Sequence, residues 1–350
     1  MGLGTWLFKP VADLGRHMYQ YATAKPEEIQ IAGPIEDKEP SIVDKAKSKI
    51  YRPLVWSEYI GQTKAKSIMK SYIKAMKERK EVLGHVLIHG KAGTGKTTLA
   101  KIITNEMQVP MRETITSTIE GFEELEMMLL EDLEPGSAIF LDEIHALERN
   151  VAESLYSVME DFEWDGESVE RFTLIGATTE LGEIIKNRKP FYDRFKIIIE
   201  LEDYTTEEMI KIVKQYKKKV FPNDRVRTEW YEKAALNCRA VPRRAIRLIE
   251  ACIYLKSVDR ALDNLGIIKD GYTYKDLKAL EYIKKCKKGV GMQSIAAFLN
   301  TSVQNYLYEI EPYLLQSGVL IRATRGRQLT DDGIMLIETL NQEVANGNSS

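Results

Sequence analysis

Gly90-Lys91-Ala92-Gly93-Thr94-Gly95-Lys96-Thr97 decides the fold. The octet satisfies the pattern Gly-x-x-x-x-Gly-Lys-[Ser/Thr]. Its glycines Gly90, Gly93 and Gly95 let backbone N–H groups turn inward around a phosphate, with Thr94 between them. Lys96 is placed to reach the β- and γ-phosphates of ATP, and the Thr97 hydroxyl to hold Mg²⁺. A β-rich run, Val86 to His89, precedes the loop, and a helical pattern, Thr97 to Met107, follows it. A helix starting there aims its positive dipole end at the anion.

Working outward, three more short apolar runs read as strands: Ala138–Leu141, Thr173–Gly176 and Lys196–Ile199. Helical patterns lie between them, at Phe122–Leu133 and Val151–Phe162. Strand and helix in alternation predict an α/β fold with a parallel sheet over residues 51–202. Residues 203–268 turn helical. Thr206 is the expected cap of a helix led by Glu207 and Glu208, and Thr228–Cys238 and Pro242–Lys256 continue the pattern. Residues 269–341 read as three helices (Tyr274–Lys285, Met292–Leu299, Ser302–Gln316), an apolar strand Val319–Arg322 and a turn at Gly326. Helices followed by a small β-hairpin predict a winged helix. Residues 342–350 read as a disordered tail.

The first 50 residues differ in composition. Thr5 to Tyr21 fits a short amphipathic helix, and Lys25 to Pro40 has the prolines and acids of a linker. Trp6 and Phe8 suggest a docking peptide for a protein partner within residues 1–25, against the plainer reading of a frayed tail.

Composition excludes several classes. The chain has 350 residues, 44% hydrophobic and 29% charged, which predicts packed cores. No apolar run approaches the roughly 20 residues that span a bilayer, so no membrane partner is expected. Three cysteines, Cys238, Cys252 and Cys286, show no CxxC spacing. They read as small core residues in a reducing cytoplasm. A net charge of −2 argues against coating nucleic acid by bulk charge. Yet residues 275–330 carry nine basic and four acidic side chains, a local excess that the whole chain hides.

Further chemistry clusters at strand ends. Leu141-Asp142-Glu143-Ile144-His145 closes the second apolar strand, 46 residues beyond Lys96 at its Asp142. Acids at the C-terminal end of a parallel strand face the ligand side. Asp142 would orient Mg²⁺, and Glu143 would polarise the attacking water. Thr178 and Thr179 follow the third strand, where a hydroxyl either meets the γ-phosphate or caps the next turn. Arg194 either pairs with Asp193 or acts as an arginine finger on a neighbouring subunit's nucleotide. Arg243, beside Pro242 at a helix start, is poorly placed for the macrodipole, which favours a phosphate nearby. Arg325 and Arg327 flank a glycine turn and suit phosphate contacts.

The ordered series Tyr51-Arg52-Pro53, Glu58-Tyr59-Ile60-Gly61-Gln62, the phosphate loop, Met159-Glu160-Asp161-Phe162, Ala177-Thr178-Thr179, Asp193-Arg194-Phe195, Val241-Pro242-Arg243, Glu311-Pro312-Tyr313-Leu314 and Thr324-Arg325-Gly326-Arg327 resembles the RuvB family. These are hexameric AAA+ motors of Holliday-junction branch migration. The resemblance covers residues 51 to about 340. It implies ATP and Mg²⁺ as cofactors, and double-stranded DNA or a DNA junction as partner. It also implies a homo-oligomeric ring, a hexamer. By the same resemblance Tyr59 and Ile60 flank the adenine, with Arg52, Thr98, Tyr204 and Pro242 completing the nucleotide site. Lys96 and Thr97 form Walker A, Asp142 and Glu143 Walker B. Thr179 is sensor 1, Arg194 the finger in trans and Arg243 sensor 2. Arg322, Arg325 and Arg327 meet the DNA.

The chain also departs from that pattern. Only nine residues separate Phe162 from Phe172, where the family carries a longer hairpin that holds RuvA. Asp165-Gly166 predicts a tight two-residue turn instead, too short to project far, so a RuvA-type contact is not expected. Lys91-Ala92 stands where the family usually has two prolines. Phe191-Tyr192 stands where another arginine is usual, and Ala240-Val241 replaces the usual Gly-Thr. The alternative reading is an AAA+ scaffold or switch that assembles with a protein partner through its N-terminal arm.

Overall fold

The computed structural model describes residues 51–347, apart from 117, 118, 120, 132, 165 and 287. The expected N-terminal helix, linker and docking peptide lie outside the described residues. So do Asp165 of the expected turn and Lys287 of the basic group.

Helix α1 (Thr63–Arg79) leads into β1 (Val86–His89), the phosphate loop and α2 (Lys96–Met107). Then come β2 (Met111–Ile115), α3 (Phe122–Glu126), a π-helical turn at Met127–Glu131 and β3 (Ala138–Asp142). Helix α4 (Arg149–Asp161) is followed by a hairpin of β4 (Glu163–Trp164) and β5 (Glu167–Ser168). Strand β6 (Thr173–Thr178), α5 (Leu181–Asn187), α6 (Lys189–Asp193) and β7 (Ile197–Glu200) complete the first part. The sheet is parallel, in the order β2-β3-β6-β1-β7. Strands β1 and β3 are apolar and buried through most of their length because helices cover both faces. Two apolar clusters result. One holds Leu99, Ile102, Ile103 and Phe140, the other Leu141, Leu155, Phe172 and Phe191.

The sheet has one strand more than the four expected. The extra strand, β2, lies at the edge and carries Arg112 and Glu113, so it lacks the apolar run that marks a central strand. The hairpin pairs Trp164 with Glu167, leaving two residues at its tip, with Gly166 at a φ of +86°.

Next come α7 (Thr206–Val220), α8 (Thr228–Leu236), α9 (Pro242–Leu255) and α10 (Val258–Asn264). The cap of α7 is Thr205 and not Thr206. Its hydroxyl accepts from Glu208 N–H at 3.2 Å, and Glu208 Oε2 accepts from Thr205 N–H at 3.0 Å. This reciprocal box requires an acid three residues after the cap, and Thr206 has Met209 there.

A two-strand ribbon, β8 (Ile267–Lys269) with β9 (Tyr272–Thr273), enters the last part. Helices α11 (Tyr274–Lys285), α12 (Met292–Phe298), α13 (Val303–Asn305) and α14 (Glu311–Gln316) follow, with a π-helical turn at Tyr306–Ile310. Strands β10 (Leu320–Ala323) and β11 (Gly326–Leu329) form the wing. Gly326 packs so closely that a Cβ there would stand 2.4 Å from the Val290 carbonyl oxygen. Helix α15 (Asp331–Gly347) closes the chain, so residues 342–347 are helical and not a disordered tail. Cys238 and Cys252 are buried thiols, as expected, but Cys286 is exposed. Among the described residues, no helix is long and apolar enough to cross a membrane.

Candidate nucleotide site and wing

A cleft of about 540 Å³ opens where the C-terminal ends of the sheet meet α7 and α9. It gathers Arg52, Tyr59, Ile60, Gly93, Thr94, Gly95, Lys96, Thr97, Thr98, Asp142, Glu143, Tyr204, Pro242 and Arg243. Gly90 stands at the base of the loop, its N–H donating to the Thr178 carbonyl at 3.3 Å.

The phosphate loop is held tightly. Tyr204 Oη donates to the Thr94 carbonyl at 2.9 Å. Gly93 adopts a φ of +78°, and a Cβ there would lie 3.0 Å from both Arg243 Cβ and Val241 Cγ1. Only a glycine lets the loop approach the first turn of α9 this closely. Lys96 is buried, and its Nζ donates to the Gly90 and Lys91 carbonyls at 2.9 and 3.2 Å. Burial lowers its pKa, with Glu143 and Asp142 pulling the other way and Arg243 adding to the lowering. An ammonium so desolvated gains from an anion in the cleft.

Thr97 Oγ1 lies 3.4 Å from Asp142 Oδ2. A hydroxyl and a carboxylate at that spacing, beside a helix N-terminus, form an oxygen donor set that fits Mg²⁺. Glu143 sits in the left-handed region, at φ 51° and ψ 49°. Thr116 holds the turn, its hydroxyl donating to the Asp142 and Glu143 carbonyls at 2.7 and 2.8 Å. Glu143 Oε2 accepts from Thr179 Oγ1 at 3.0 Å and from Thr179 N–H at 3.2 Å, and lies 3.4 Å from His145 Nδ1. Thr178 is fully buried. Its hydroxyl accepts from Glu180 N–H at 2.9 Å and sits 3.1 Å from His145 Nδ1. The two threonines therefore part company: Thr179 touches Glu143, and Thr178 caps a turn.

Arg194 is not in the cleft. It lies in a second depression of about 880 Å³, with Lys80, Asp161, Asp193 and Lys196. Its guanidinium pairs with Glu160 and donates to the Pro190 carbonyl at 3.2 Å. The partner is thus Glu160 and not the adjacent Asp193.

The wing arginines separate. Glu311, completely buried, accepts Arg327 Nε at 2.6 Å and an Arg322 guanidinium nitrogen at 2.8 Å. Burial alone would raise its pKa. The two arginines, Arg327 foremost, outweigh that and hold it below the usual carboxylate range. Arg327 is 15% exposed. Arg322 is 60% exposed. Arg325 lies at the tip between β10 and β11, with no ion pair among the described residues.

Sequence reasoning missed Thr116, and it quoted Glu160 and Glu311 in motifs without finding their contacts. The first follows an unrecognised edge strand. The other two make contacts 34 residues or at most 16 residues away along the chain, which no local pattern carries.

Residues 51–201 match the family described as the Holliday junction DNA helicase RuvB P-loop domain. Residues 269–338 match the RuvB C-terminal winged helix domain. The Holliday junction branch migration complex subunit RuvB of Ehrlichia ruminantium is 37% identical over 306 residues, 81% of this chain and 91% of that protein.

The chain belongs to the RuvB family.

The RuvB subunit of Lactobacillus johnsonii is likewise 37% identical, over 87% of this chain and 94% of its own length. The solved Thermotoga maritima RuvB Holliday junction branch migration motor superposes with a TM-score of 0.72 at 35% identity, covering 82% of this chain and 98% of that one. The protein is an α/β AAA+ ATPase of RuvB type with a C-terminal winged helix. The resemblance drawn from its motifs is borne out.

Proposed function

We propose that this chain is an ATP-driven motor on double-stranded DNA, acting as a ring, a hexamer, on linear duplex or four-way junctions. The observation that carries it is the joining in one chain of a built nucleotide cleft and a winged helix whose tip presents Arg325. Residues 51–202 act as the nucleotide module, 203–268 as the lid and 269–341 as the DNA module.

Within the cleft, Lys96 and the loop N–H groups bind the phosphates. Tyr59, Ile60, Arg52, Thr98, Tyr204 and Pro242 frame the rest of the nucleotide. Thr97 and Asp142 would hold Mg²⁺, whose charge screens the phosphate oxygens when it is bound. Glu143 orients and deprotonates water, and Thr179 holds it in place until the γ-phosphate arrives. Arg243 reports nucleotide to the lid, because its own Cβ packs on Gly93. Arg194 serves the nucleotide of an adjacent subunit, since it lies outside its own cleft. Arg325 contacts phosphates at the wing tip, with Arg322 beside it. Such contacts grip duplex without reading its sequence.

The test is ATP hydrolysis without DNA, with linear duplex and with a four-way junction, using Glu143→Gln as the inactive control. Stimulation by either DNA, without a loading partner, supports the motor. Hydrolysis indifferent to DNA overturns it in favour of a scaffold that works through a protein partner.

A further inference from the structure

Lys91, the second residue of the phosphate loop, reaches out of the nucleotide module. Its Nζ donates to Asp203 Oδ1 and Oδ2 at 2.7 and 2.6 Å and to Gln316 Oε1 at 2.6 Å. Gln316 Nε2 donates back to Asp203 Oδ2 at 2.6 Å. The triangle is closed, and its corners come from three places. Lys91 is in the loop, Asp203 in the link from β7 to α7, and Gln316 ends α14 of the winged helix. The main chain of the same residue faces the other way. The Lys91 carbonyl accepts from Lys96 Nζ at 3.2 Å and from Thr94 Oγ1 at 2.8 Å. One residue thus touches the catalytic ammonium through its backbone and the winged helix through its side chain.

We propose that Lys91 is a positioning residue that clasps the winged helix to the phosphate loop and passes nucleotide occupancy to it. The inference rests on the motor reading of the same cleft. The Lys96 ammonium has only three protons. Phosphate oxygens carry more charge than the two carbonyls that now hold it, so nucleotide draws Lys96 away from the Lys91 carbonyl. The loop then resettles, and the Lys91 side chain moves with it. The lid grips the winged helix independently, through Arg239 with Asp276 and Arg244 with Glu309 at 2.9 Å. A change at Lys91 therefore alters where the lid and winged helix sit against the sheet, while their mutual contact stays intact. A proline at position 91 has no amine and would make no such clasp. The device belongs to this chain's own loop.

The test reads distance, without DNA. Cys286 is exposed on the winged helix, Cys238 and Cys252 are buried, and Lys74 on α1 is 78% exposed. Spin labels at Cys286 and at Lys74→Cys report the separation by pulsed electron resonance. The parent should give one narrow distance without nucleotide and a shifted one with a non-hydrolysable ATP analogue. Gln316→Leu should broaden the nucleotide-free distribution toward the bound one, with DNA-free hydrolysis unchanged. Lys91→Arg, still able to pair with Asp203 and Gln316, should keep the narrow distance. A parent distance insensitive to nucleotide, or identical distributions in parent and Gln316→Leu, overturns the clasp. In the parent, the analogue should change DNA affinity by about fivefold or more, and Gln316→Leu should bring that ratio toward one. A parent that binds no DNA defeats the motor reading alone, since the distances still decide the clasp.

Discussion

Arg327 turns its guanidinium inward onto the buried carboxylate of Glu311, with Nε at 2.6 Å and a terminal nitrogen at 3.2 Å. The wing is therefore built from inside by an acid and two arginines, and its tip is left to Arg325. Removing Arg327 leaves the buried carboxylate with the exposed Arg322 as its remaining ion pair. Arg327→Ala should lower stability by about 3 kcal/mol, read by urea unfolding. Glu311→Gln should do so by a comparable amount. A stable Arg327→Ala protein with weakened DNA binding would give Arg327 a DNA contact in place of this structural role.

Arg325→Ala should leave stability within about 0.5 kcal/mol and weaken binding to unrelated duplexes alike. Its log-affinity against log-salt plot should flatten by about one unit, the signature of one lost phosphate contact. A loss confined to one sequence would contradict the backbone role.

Thr179 shares a single carboxylate oxygen of Glu143 through both its hydroxyl and its N–H. Thr179→Val keeps the amide and removes the hydroxyl. Hydrolysis should fall on the order of tenfold to a hundredfold, the worth of a hydrogen bond to a charged group. Glu143→Gln should cost more, about 10²- to 10⁴-fold, with nucleotide affinity retained. Single-turnover hydrolysis beside equilibrium nucleotide binding separates the two effects.

Arg194, paired with Glu160 away from its own cleft, should act across a subunit boundary. Arg194→Ala should lower kcat by about 10³-fold. Mixing it with Lys96→Ala subunits should restore part of the activity, because mixed rings place an intact finger against an intact loop. Activity that never exceeds the sum of the two separate variants would place Arg194 in cis.

His85 gives a pH prediction with a definite sign. Its Nδ1 accepts from Leu174 N–H at 2.9 Å, so Nε2 carries the proton and donates to the Met159 carbonyl at 3.0 Å. Burial pushes its pKa down to about 4, despite the opposing bond to Met159. The folded group is neutral where the unfolded one is protonated. Its contribution is complete above about pH 6.5 and is lost as pH falls toward 4. About 3 kcal/mol disappears over that window. Urea midpoints from pH 7 to 4 should show the slope, and His85→Phe should flatten it.

Much of this was legible from the chain. The phosphate loop, the Asp142-Glu143 pair and helix α11 are local patterns, fixed by glycine geometry, strand-end acids and amphipathic spacing. Strand β2 escaped because an edge strand with Arg112 and Glu113 need not be apolar. The cap at Thr205 is legible, since Glu208 stands three residues on, although Thr206 directly precedes the two acids that lead the helix. Glu311 with Arg322 and Arg327 was not readable. The partners stand 11 and 16 residues apart on different elements, and they meet only because the wing folds back on α14. Exposure of Cys286 likewise depends on where α11 ends, not on residue type.

Glu143 occupies a left-handed backbone position that asparagine or glycine would adopt with less strain. A chain selected only for a high melting point would lose this glutamate early. Glu143→Gly would be expected to match or exceed the parent in thermal unfolding while hydrolysing almost nothing. On the proposed role of Glu143, this position would trade durability for work: the tougher variant would be the idle one.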